Sequence, residues 1–131
     1  MHPEVAAAKA AIESKLGGRK PTVGIVLGTG LGPFVDRIEN PVRIPYANIP
    51  EFKPSAVAGH AGQLVVGTLR GKTVAALQGR IHVYEGHTAA EVAFPIRVLD
   101  AVGVKVLLVT CAAGGINSQH RPGSLMLLED H

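Results

Sequence analysis

The chain has few of the side chains that stack on nucleic-acid bases and too few cysteines for a disulfide. Its 131 residues include no Trp, two Tyr and three Phe, and the one cysteine is Cys111. A single thiol excludes an internal disulfide and favours a reducing compartment. The 13 basic and 10 acidic residues give a formal charge of +3 and are dispersed along the chain. Because nucleic-acid sites combine clustered cations with aromatic side chains, this composition predicts that nucleic acid is not a partner.

Long apolar runs are also absent. The most hydrophobic region, residues 89–116, is interrupted by four charged residues: Glu91, Arg97, Asp100 and Lys105. No stretch approaches the ~20 apolar residues of a membrane-spanning helix, and the N-terminal MHPEVAAAKA does not resemble a secretory signal. Hydrophobic residues make up 47% of the chain and charged residues 18%, as in globular proteins. We therefore expect a cytoplasmic protein with no membrane partner, folded as a single α/β domain over residues 1–131.

The N-terminal third predicts a helix followed by a buried strand. Residues 4–16 carry apolar side chains on one helical stripe: Val5, Ala8, Ile12 and Leu16. Two glycines follow as a helix stop. Residues 22–27 (TVGIVL) form a β-branched run that ends in GTGLGP, which is typical of a buried strand entering a glycine-rich turn. Four prolines between residues 41 and 54 predict short extended pieces and loops.

A hairpin is predicted in the middle of the chain. Residues 63–69 and 72–78 are two strand-like runs joined by Arg70 and Gly71. A two-residue link between such runs indicates a β-hairpin.

The following segment predicts a capped helix and a further strand. Thr88 and Glu91 have the spacing of a capping box, and apolar residues at helical spacing come after them: Val92, Ile96, Leu99 and Val102. Residues 104–109 (VKVLLV) predict another buried strand. Together the elements predict a mixed, mostly parallel β-sheet flanked by helices on both sides, with Val106 and Leu108 buried.

A glycine-rich turn is the first stretch suited to binding an anion. GTGLG at residues 28–32 follows a strand, so its backbone N–H groups and the Thr29 hydroxyl are candidates to bind phosphate. It also begins like the dinucleotide fingerprint G-x-G-x-x-G, but Pro33 occupies the third glycine position. Taken alone, the stretch is compatible with a tight turn, an anion site or a dinucleotide-binding oxidoreductase.

The stretch QGRIHVYEGH, residues 78–87, concentrates polar groups in an apolar neighbourhood. If the preceding strand continued through it, Arg80, His82 and Tyr84 would share one face. Ile81 and Val83 would then point into the core. An arginine fork suits phosphate oxygens, and a histidine can add a hydrogen bond. A solvated polar edge is the alternative, but three such groups on one face favour an anion site.

Two further loops carry small residues around candidate ligand groups. TCAAGG at residues 110–115 leaves backbone N–H groups accessible and forms a flat floor for a planar ligand, although a plain glycine turn explains it as well. Cys111, taken alone, is expected to be a small buried hydrophobe. In GHAG, residues 59–62, His60 belongs either to a surface loop or to a ligand site.

Taken together, these stretches resemble the trimeric purine nucleoside phosphorylase family in order and spacing. Six segments carry the resemblance: GTGLG (28–32), GHAG (59–62), QGRIHVYEGH (78–87), FPIRV (94–98), TCAAGGIN (110–117) and PGSLMLLEDH (122–131). Each is weak alone, but six in sequence are specific, and they cover nearly all of the chain from Thr22 onward. The resemblance implies a phosphorylase/hydrolase-like α/β fold. It also implies that the fold is incomplete at the C-terminus, since the family continues for about as many residues again beyond His131.

The activity implied by the resemblance is phosphorolysis. Inorganic phosphate would attack the anomeric carbon of a purine (2′-deoxy)ribonucleoside and release the free purine and (2-deoxy)ribose 1-phosphate. The phosphate ligands implied are Thr29, His60, Arg80, His82 and the backbone of Ala112. His82 and Glu85 would be catalytic, with Glu85 orienting phosphate and relaying protons. Tyr84 would contact the ribose, and Ala112, Ala113 and Gly114 would line the purine.

The resemblance also implies no metal and no organic cofactor, with phosphate as co-substrate, and a homotrimer at full family length. Thr29 replaces a serine and keeps its hydroxyl, whereas Cys111 replaces an asparagine and Ser124 an aspartate; neither position binds substrate in the family. The base-reading residues would lie beyond His131, so the 131-residue chain alone is expected not to turn over, and base preference stays open. Methylthioadenosine phosphorylase, or a non-catalytic chain that keeps only the phosphate site, is the alternative.

Overall fold

The computed structural model of the chain describes residues 1–54 and 61–130. The helices and strands are α1 (Pro3–Leu16), β1 (Val23–Leu27), β2 (Glu39–Pro45), β3 (Gln63–Leu69), β4 (Lys72–Gln78), α2 (Ala89–Val102) and β5 (Val106–Val109). Short 3₁₀ helices lie between them at Gly32–Arg37, Tyr46–Asn48 and Val83–Glu85. Within the described ranges, no helix is long and apolar enough to cross a membrane.

Helix α1 forms where the sequence predicts it. Its four stripe residues are the buried ones: Val5, Ala8, Ile12 and Leu16. The helix ends at Gly17, whose φ of 58° is the left-handed conformation that glycine adopts without a steric penalty. The period of 3.6 residues therefore accounts for the burial of this helix, and Gly17 accounts for its C-terminal stop.

The five strands form one mixed sheet in the order β2-β3-β4-β1-β5. Strand β1 runs parallel to both β4 and β5, whereas β2 with β3 and β3 with β4 are antiparallel. The mixed α/β fold is confirmed, but parallel pairings do not predominate in the described sheet. The predicted hairpin is confirmed as well: Arg70 and Gly71 have φ of 48° and 76°, as a tight two-residue turn of this kind requires.

Both long helices cover the same face of the sheet, which corrects the expectation of helices on each side. The buried side chains of α1 and α2 join one core cluster with alternate residues of β1, β3 and β4, for example Val26, Leu64 and Leu77. The neighbouring residues on these strands, such as Ile25 and Val65, belong to a second cluster that the 3₁₀ helix Gly32–Arg37 covers. The two-residue period of the strands therefore separates two cores.

Helix α2 begins with the predicted capping box. The Glu91 amide donates to the Thr88 hydroxyl at 3.3 Å, and the Thr88 amide donates to the Glu91 carboxylate at 2.7 Å. The predicted helical stripe is fully buried only in its second half: Val92 and Ile96 are partly buried, and Ile96 packs against the core cluster. The buried residues of the helix are Phe94, Val98, Leu99 and Val102. Val92 and Ile96 line a cavity instead.

Strand β5 lies at the edge of the sheet, and the prediction that it is buried on both faces is wrong. The side chains of Val106 and Leu108 are 55% and 53% exposed. They extend the face of Val23 and Ile25, to which they are paired in register, but the 3₁₀ helix that covers Ile25 does not bury them. The sequence pattern predicted a strand, but it did not indicate how much of each strand is buried by neighbouring elements.

Candidate functional site

The carboxyl ends of β1, β4 and β5 meet at one edge of the sheet. Leu27 pairs with Gln78, and Val26 pairs with Val109, each in a parallel register. The segments that follow these strands are therefore brought side by side: the glycine turn at 28–32, the polar stretch at 79–87 and the small-residue segment at 110–115. In open α/β sheets, ligands bind at this edge.

The glycine turn after β1 is a tight reversal. The Leu31 amide donates to the Gly28 carbonyl at 3.1 Å, and Gly30 has a φ of +86°. A glycine at this position is what a type II turn requires. Thr29 lies at the tip, exposed to solvent, so its hydroxyl is accessible to a ligand.

Thr110 joins β1 to β5 where both strands end. Its hydroxyl accepts a hydrogen bond from the Gly28 amide at 2.9 Å and donates one to the Val26 carbonyl at 2.7 Å. Its own carbonyl accepts a hydrogen bond from the Arg80 guanidinium at 3.2 Å. One residue thus contacts all three segments of the edge. The sequence signalled Thr110 only as a member of the small-residue stretch.

Gly28 is required by this close approach. A Cβ at Gly28 would lie 2.7 Å from the Thr110 carbonyl oxygen and 2.8 Å from the Cys111 Cα. Both are backbone atoms, which cannot move away as a flexible side chain can. Gly28 therefore permits the close approach of β1 and the segment after β5, whereas Gly30 permits the chain reversal.

The stretch after β4 does not continue as a strand, which corrects the predicted alternation. The strand ends at Gln78, Gly79 has a φ of +104°, and Val83–Glu85 form a 3₁₀ helix. Ile81 is buried as predicted, but Val83 is 61% exposed. A left-handed glycine breaks the two-residue period, so residues beyond it no longer alternate between two faces.

Tyr46 fixes the backbone at this break, and sequence analysis did not identify it. Its hydroxyl donates to the Gly79 carbonyl at 2.6 Å, directly before Arg80. Burial raises the pKa of the Tyr46 phenol well above its usual range, so the group stays a hydrogen-bond donor. No sequence signal connects Tyr46 with Gly79, which lies 33 residues further along the chain.

His82 and Glu85 form a close pair. One carboxylate oxygen of Glu85 lies 2.8 Å from the His82 amide nitrogen and 2.7 Å from the Nδ1 atom of the imidazole. Both side chains are largely buried, with 15% and 10% of their surfaces exposed. Because an ionised carboxylate only accepts, Nδ1 carries the hydrogen in this contact.

Tyr84 stacks on the imidazole of His82. The ring centroids are 4.6 Å apart and the planes differ by 15°. The side chain of Tyr84 is otherwise largely in solvent, with 76% of the residue exposed. The predicted ribose contact is thus on the surface of the site and adjacent to the predicted phosphate ligand.

The remaining predicted ligands follow β5 or lie outside the described residues. Ala112, Ala113 and Gly114 are exposed in a segment without regular secondary structure after Thr110. Cys111 is exposed too, so the expectation of a buried thiol is wrong. His60 lies outside the described residues. Among the residues that are described, no three His, Cys, Asp or Glu side chains form a group that could hold a metal ion.

A cavity of about 330 Å³ lies beneath this edge, on the side of helix α2. Its walls are mainly apolar and include Tyr46, Phe52, Leu77 and Ile96, with Arg80 among the lining residues. At its rim, the Lys53 ammonium forms an ion pair with the Glu91 carboxylate. Because a buried anion needs more polar contacts than these walls offer, the open edge suits phosphate better than the cavity does.

Comparison with known proteins identifies relatives over most of the chain. The sequence profile of the phosphorylase superfamily matches residues 22–131. Purine nucleoside phosphorylase 1 of Bacillus subtilis (strain 168) is 56% identical over 111 residues, which cover 85% of this chain and 41% of the relative. Purine nucleoside phosphorylase of Rattus norvegicus is 44% identical over 112 residues, which cover 86% of this chain and 39% of the relative.

Solved structures give the same result. The crystal structure of isoform 2 of purine nucleoside phosphorylase from Schistosoma mansoni, in complex with cytosine and ribose-1-phosphate, superposes with a TM-score of 0.80 at 44% identity. The match covers 90% of this chain and 41% of that one. The chain thus spans about two-fifths of the length of the relatives it matches.

Proposed function

Because the chain belongs to the phosphorylase superfamily, we propose that it supplies the phosphate and ribose side of a purine nucleoside phosphorylase. The reaction is attack of inorganic phosphate on the anomeric carbon of a purine (2′-deoxy)ribonucleoside, which yields the free base and (2-deoxy)ribose 1-phosphate. One observation carries the proposal: Thr110 ties the glycine turn, Arg80 and the small-residue segment together at one carboxyl edge. The names of the relatives agree with it.

Phosphate binds between the turn and the polar stretch in this proposal. The ligands are Thr29, His60, Arg80, His82 and the amide of Ala112. The guanidinium is a planar cation whose N–H donors suit phosphate oxygens, and the exposed hydroxyl of Thr29 adds another donor. Charge-assisted hydrogen bonds of this kind are stronger than neutral ones, so Arg80 makes the largest single contribution.

Phosphate bound here acts both as nucleophile and as electrostatic stabiliser. Glycosyl transfer builds positive charge on the ribose, and an anion fixed below the ring lowers the energy of that state. His82 and Glu85 are the catalytic pair, because their shared hydrogen bond gives a route for a proton at the phosphate. Tyr84 lies beside them as the ribose contact, and Ala112, Ala113 and Gly114 form the floor below the purine.

The proposal includes a homotrimer, a cytoplasmic location and no metal or organic cofactor, with phosphate as co-substrate. It makes phosphate a ligand of the 131-residue chain. Turnover is not expected from that chain alone, since protonation of the departing purine contributes ~10²- to 10⁴-fold to such reactions. No base-protonating residue is assigned within the 131 residues.

The binding half of the proposal is tested by calorimetric titration of the chain with inorganic phosphate. Arg80→Ala is expected to weaken binding by ~1.5–3 kcal/mol, roughly 10- to 150-fold, and Arg80→Lys by less because it keeps the charge but loses the fork. Lys72→Ala is the matched control. It removes one positive charge at the opposite end of β4, roughly 20 Å away for a strand of this length, and is expected to leave binding unchanged. Equal affinity in wild type and Arg80→Ala would refute the proposed anion site.

The catalytic half is tested in a hybrid enzyme. The 111 residues of this chain that match the Bacillus subtilis relative at 56% identity replace the corresponding segment of that protein. Release of purine from inosine and guanosine in phosphate buffer is the measurement. We expect turnover by the hybrid and its loss in the Arg80→Ala hybrid. A folded hybrid with no activity would contradict the proposal.

A further inference from the structure

We propose that Gln78 is a positioning residue for the phosphate site, and that its side-chain amide fixes the glycine turn that carries Thr29. The inference rests on the proposed function, in which the Thr29 hydroxyl binds phosphate. Gln78 is not one of the proposed ligands. It acts by holding the backbone from which a ligand projects.

The carboxamide of Gln78 bridges two neighbouring segments. Its Nε2 atom donates to the Gly32 carbonyl at 2.9 Å, and its Oε1 atom accepts a hydrogen bond from the Nε2 atom of Gln63 at 2.5 Å. Gln63 and Gln78 are directly opposite each other at the start of β3 and the end of β4, so their side chains leave the sheet on the same face. Hydrogen bonds at both ends of the amide determine which end faces the glycine turn.

The glycine turn at 28–32 is held at both of its ends. At its first residue, the Gly28 amide donates to the Thr110 hydroxyl at 2.9 Å, which ties the turn to the segment after β5. At its last residue, the carbonyl accepts from Gln78, which ties the turn to β4. Thr29 lies between these two anchors and is exposed, so side-chain packing contributes little to its position. The two hydrogen bonds therefore carry most of the restraint on the turn.

Gln78 interrupts an apolar row at the end of β4. Val74 and Ala76 precede it on the same face, and both belong to the second core cluster, which the 3₁₀ helix Gly32–Arg37 covers. An apolar residue would extend that cluster, whereas a partly buried carboxamide loses hydration and needs hydrogen-bond partners. Gln63 and the carbonyl at the start of the 3₁₀ helix supply them. The strand thus gives up apolar burial at the one position next to the glycine turn.

The backbone of Gln78 extends the same role to the other side of the site. Its carbonyl accepts a hydrogen bond from the amide of Gly62, the last residue of the GHAG segment, at 3.0 Å. Gly79 and Arg80 follow it directly in the chain. The glycine turn, Arg80 and the end of the GHAG segment are therefore all attached to one residue. An arrangement held before phosphate arrives removes part of the entropy cost of binding.

NMR spectroscopy and phosphate titration of the ¹⁵N-labelled 131-residue chain test the inference. In wild type, we expect the side-chain NH₂ of Gln78 to exchange slowly with solvent, its signals being assigned by their loss in Gln78→Met. Methionine has a similar length and no carboxamide. We expect Gln78→Met to lower the order parameters of the Thr29 and Gly30 amides and to weaken phosphate binding ~2- to 12-fold, the range for one lost neutral hydrogen bond.

Gln119→Met is the matched control, because it makes the same substitution at an exposed position outside the site. We expect it to leave the order parameters of the turn and the phosphate affinity unchanged. The amide signals of α1 report whether Gln78→Met keeps the fold, and we expect them to match wild type. If that variant does not fold, the wild-type exchange measurement decides, since rapid exchange of the Gln78 NH₂ would overturn the inference.

The inference is also overturned if Gln78→Met folds and either the order parameters of the turn or the phosphate affinity stays at the wild-type value. A loss of affinity without a change in the turn would mean that Gln78 acts by another route. Absence of phosphate binding by wild type would refute the proposed function. The order parameters of Thr29 and Gly30 would then still decide whether Gln78 holds the turn.

Discussion

Single residues decide the geometry of the candidate site, and the most consequential is Thr110. Its hydroxyl satisfies the Gly28 amide and the Val26 carbonyl, and its backbone carbonyl holds Arg80. Threonine suits this position because one hydroxyl both donates and accepts. Among the predicted ligands it is hydrogen-bonded to Arg80, and it aligns the strands from which the ligands come.

Replacing Thr110 with valine is expected to destabilise the fold by ~1–3 kcal/mol, because it leaves the buried Gly28 amide without its partner. Urea unfolding followed by circular dichroism measures the change. Thr110→Ser is the control: it restores the hydroxyl and should recover most of the loss. Equal stability of Thr110→Val and wild type would mean that the two hydrogen bonds contribute nothing.

Gly28→Ala is expected to cost ~1–3 kcal/mol, the usual range for overpacking a site that cannot relax, since the new Cβ would meet two backbone atoms closer than 3 Å. Gly114→Ala is the matched control, because a Cβ there meets nothing within 4 Å, and it should leave the unfolding midpoint unchanged. Similar losses in both variants would contradict the close packing of β1 against β5.

At the scale of elements, local sequence is a good guide wherever an element is stabilised by its own residues. The hairpin of β3 and β4 follows from its two-residue turn, and α1 follows from its apolar stripe. Helix α2 adds a tertiary contact to a local one: its cap residue Glu91 also pairs with Lys53, 38 residues away. The capping box could be predicted from the sequence, but the ion pair could not.

The N-terminal cap of α2 should make the stability of the fold depend on pH. The Lys53 ammonium, followed by the amide and hydroxyl of Thr88, lowers the pKa of Glu91 to about 2. A carboxylate with a lowered pKa stabilises the fold above the pKa of the unfolded chain, ~4.3, and this contribution is lost as pH falls toward 2. We expect wild type to melt at a higher temperature than Glu91→Gln at pH 6, with the difference vanishing near pH 2.

Glutamine keeps the side-chain acceptor that a capping box needs, so this comparison isolates the charge. Lys53→Met removes the largest cause of the lowered pKa and should move the loss of stability to higher pH. A difference between wild type and Glu91→Gln that stayed constant from pH 6 to pH 2 would contradict this account.

For the molecule as a whole, apolar surface is distributed unevenly. Two core clusters fill both faces of the central strands, but β5 and the segment after it carry large exposed hydrophobic residues: Val106, Leu108, Val109, Ile116, Leu125, Leu127 and Leu128. Contiguous apolar surface and an unpaired strand edge favour association in water.

The chain is therefore expected to self-associate with rising concentration through the β5 edge. Val106→Lys combined with Leu108→Lys should shift sedimentation velocity profiles toward the monomer, because two charges at an edge oppose strand pairing. Ser118→Lys with Gln119→Lys adds the same charge at exposed polar positions and is the control. Equal reduction by both pairs would point to net charge alone, and no association in wild type would refute the prediction.

The sequence by itself determined α1, the β3–β4 hairpin, the capped start of α2 and the family. Periods of 2 and 3.6 residues, a capping box and a two-residue turn are local signals, and α1, the hairpin and the cap of α2 formed accordingly. The order of six short segments sufficed for the family, because the resemblance depends on residue identity and spacing alone.

Only the tertiary structure decided how those segments are joined. Thr110 meets Val26 and Gly28 across 84 and 82 residues of chain, and Tyr46 meets Gly79 across 33. Such contacts depend on which strands pair and in which register, and no local period encodes that choice. For the same reason, the sequence did not predict that β5 is an exposed edge strand, or that a turn breaks the alternation of side chains from Arg80 to Tyr84. Burial and chain direction are set by neighbours distant in sequence.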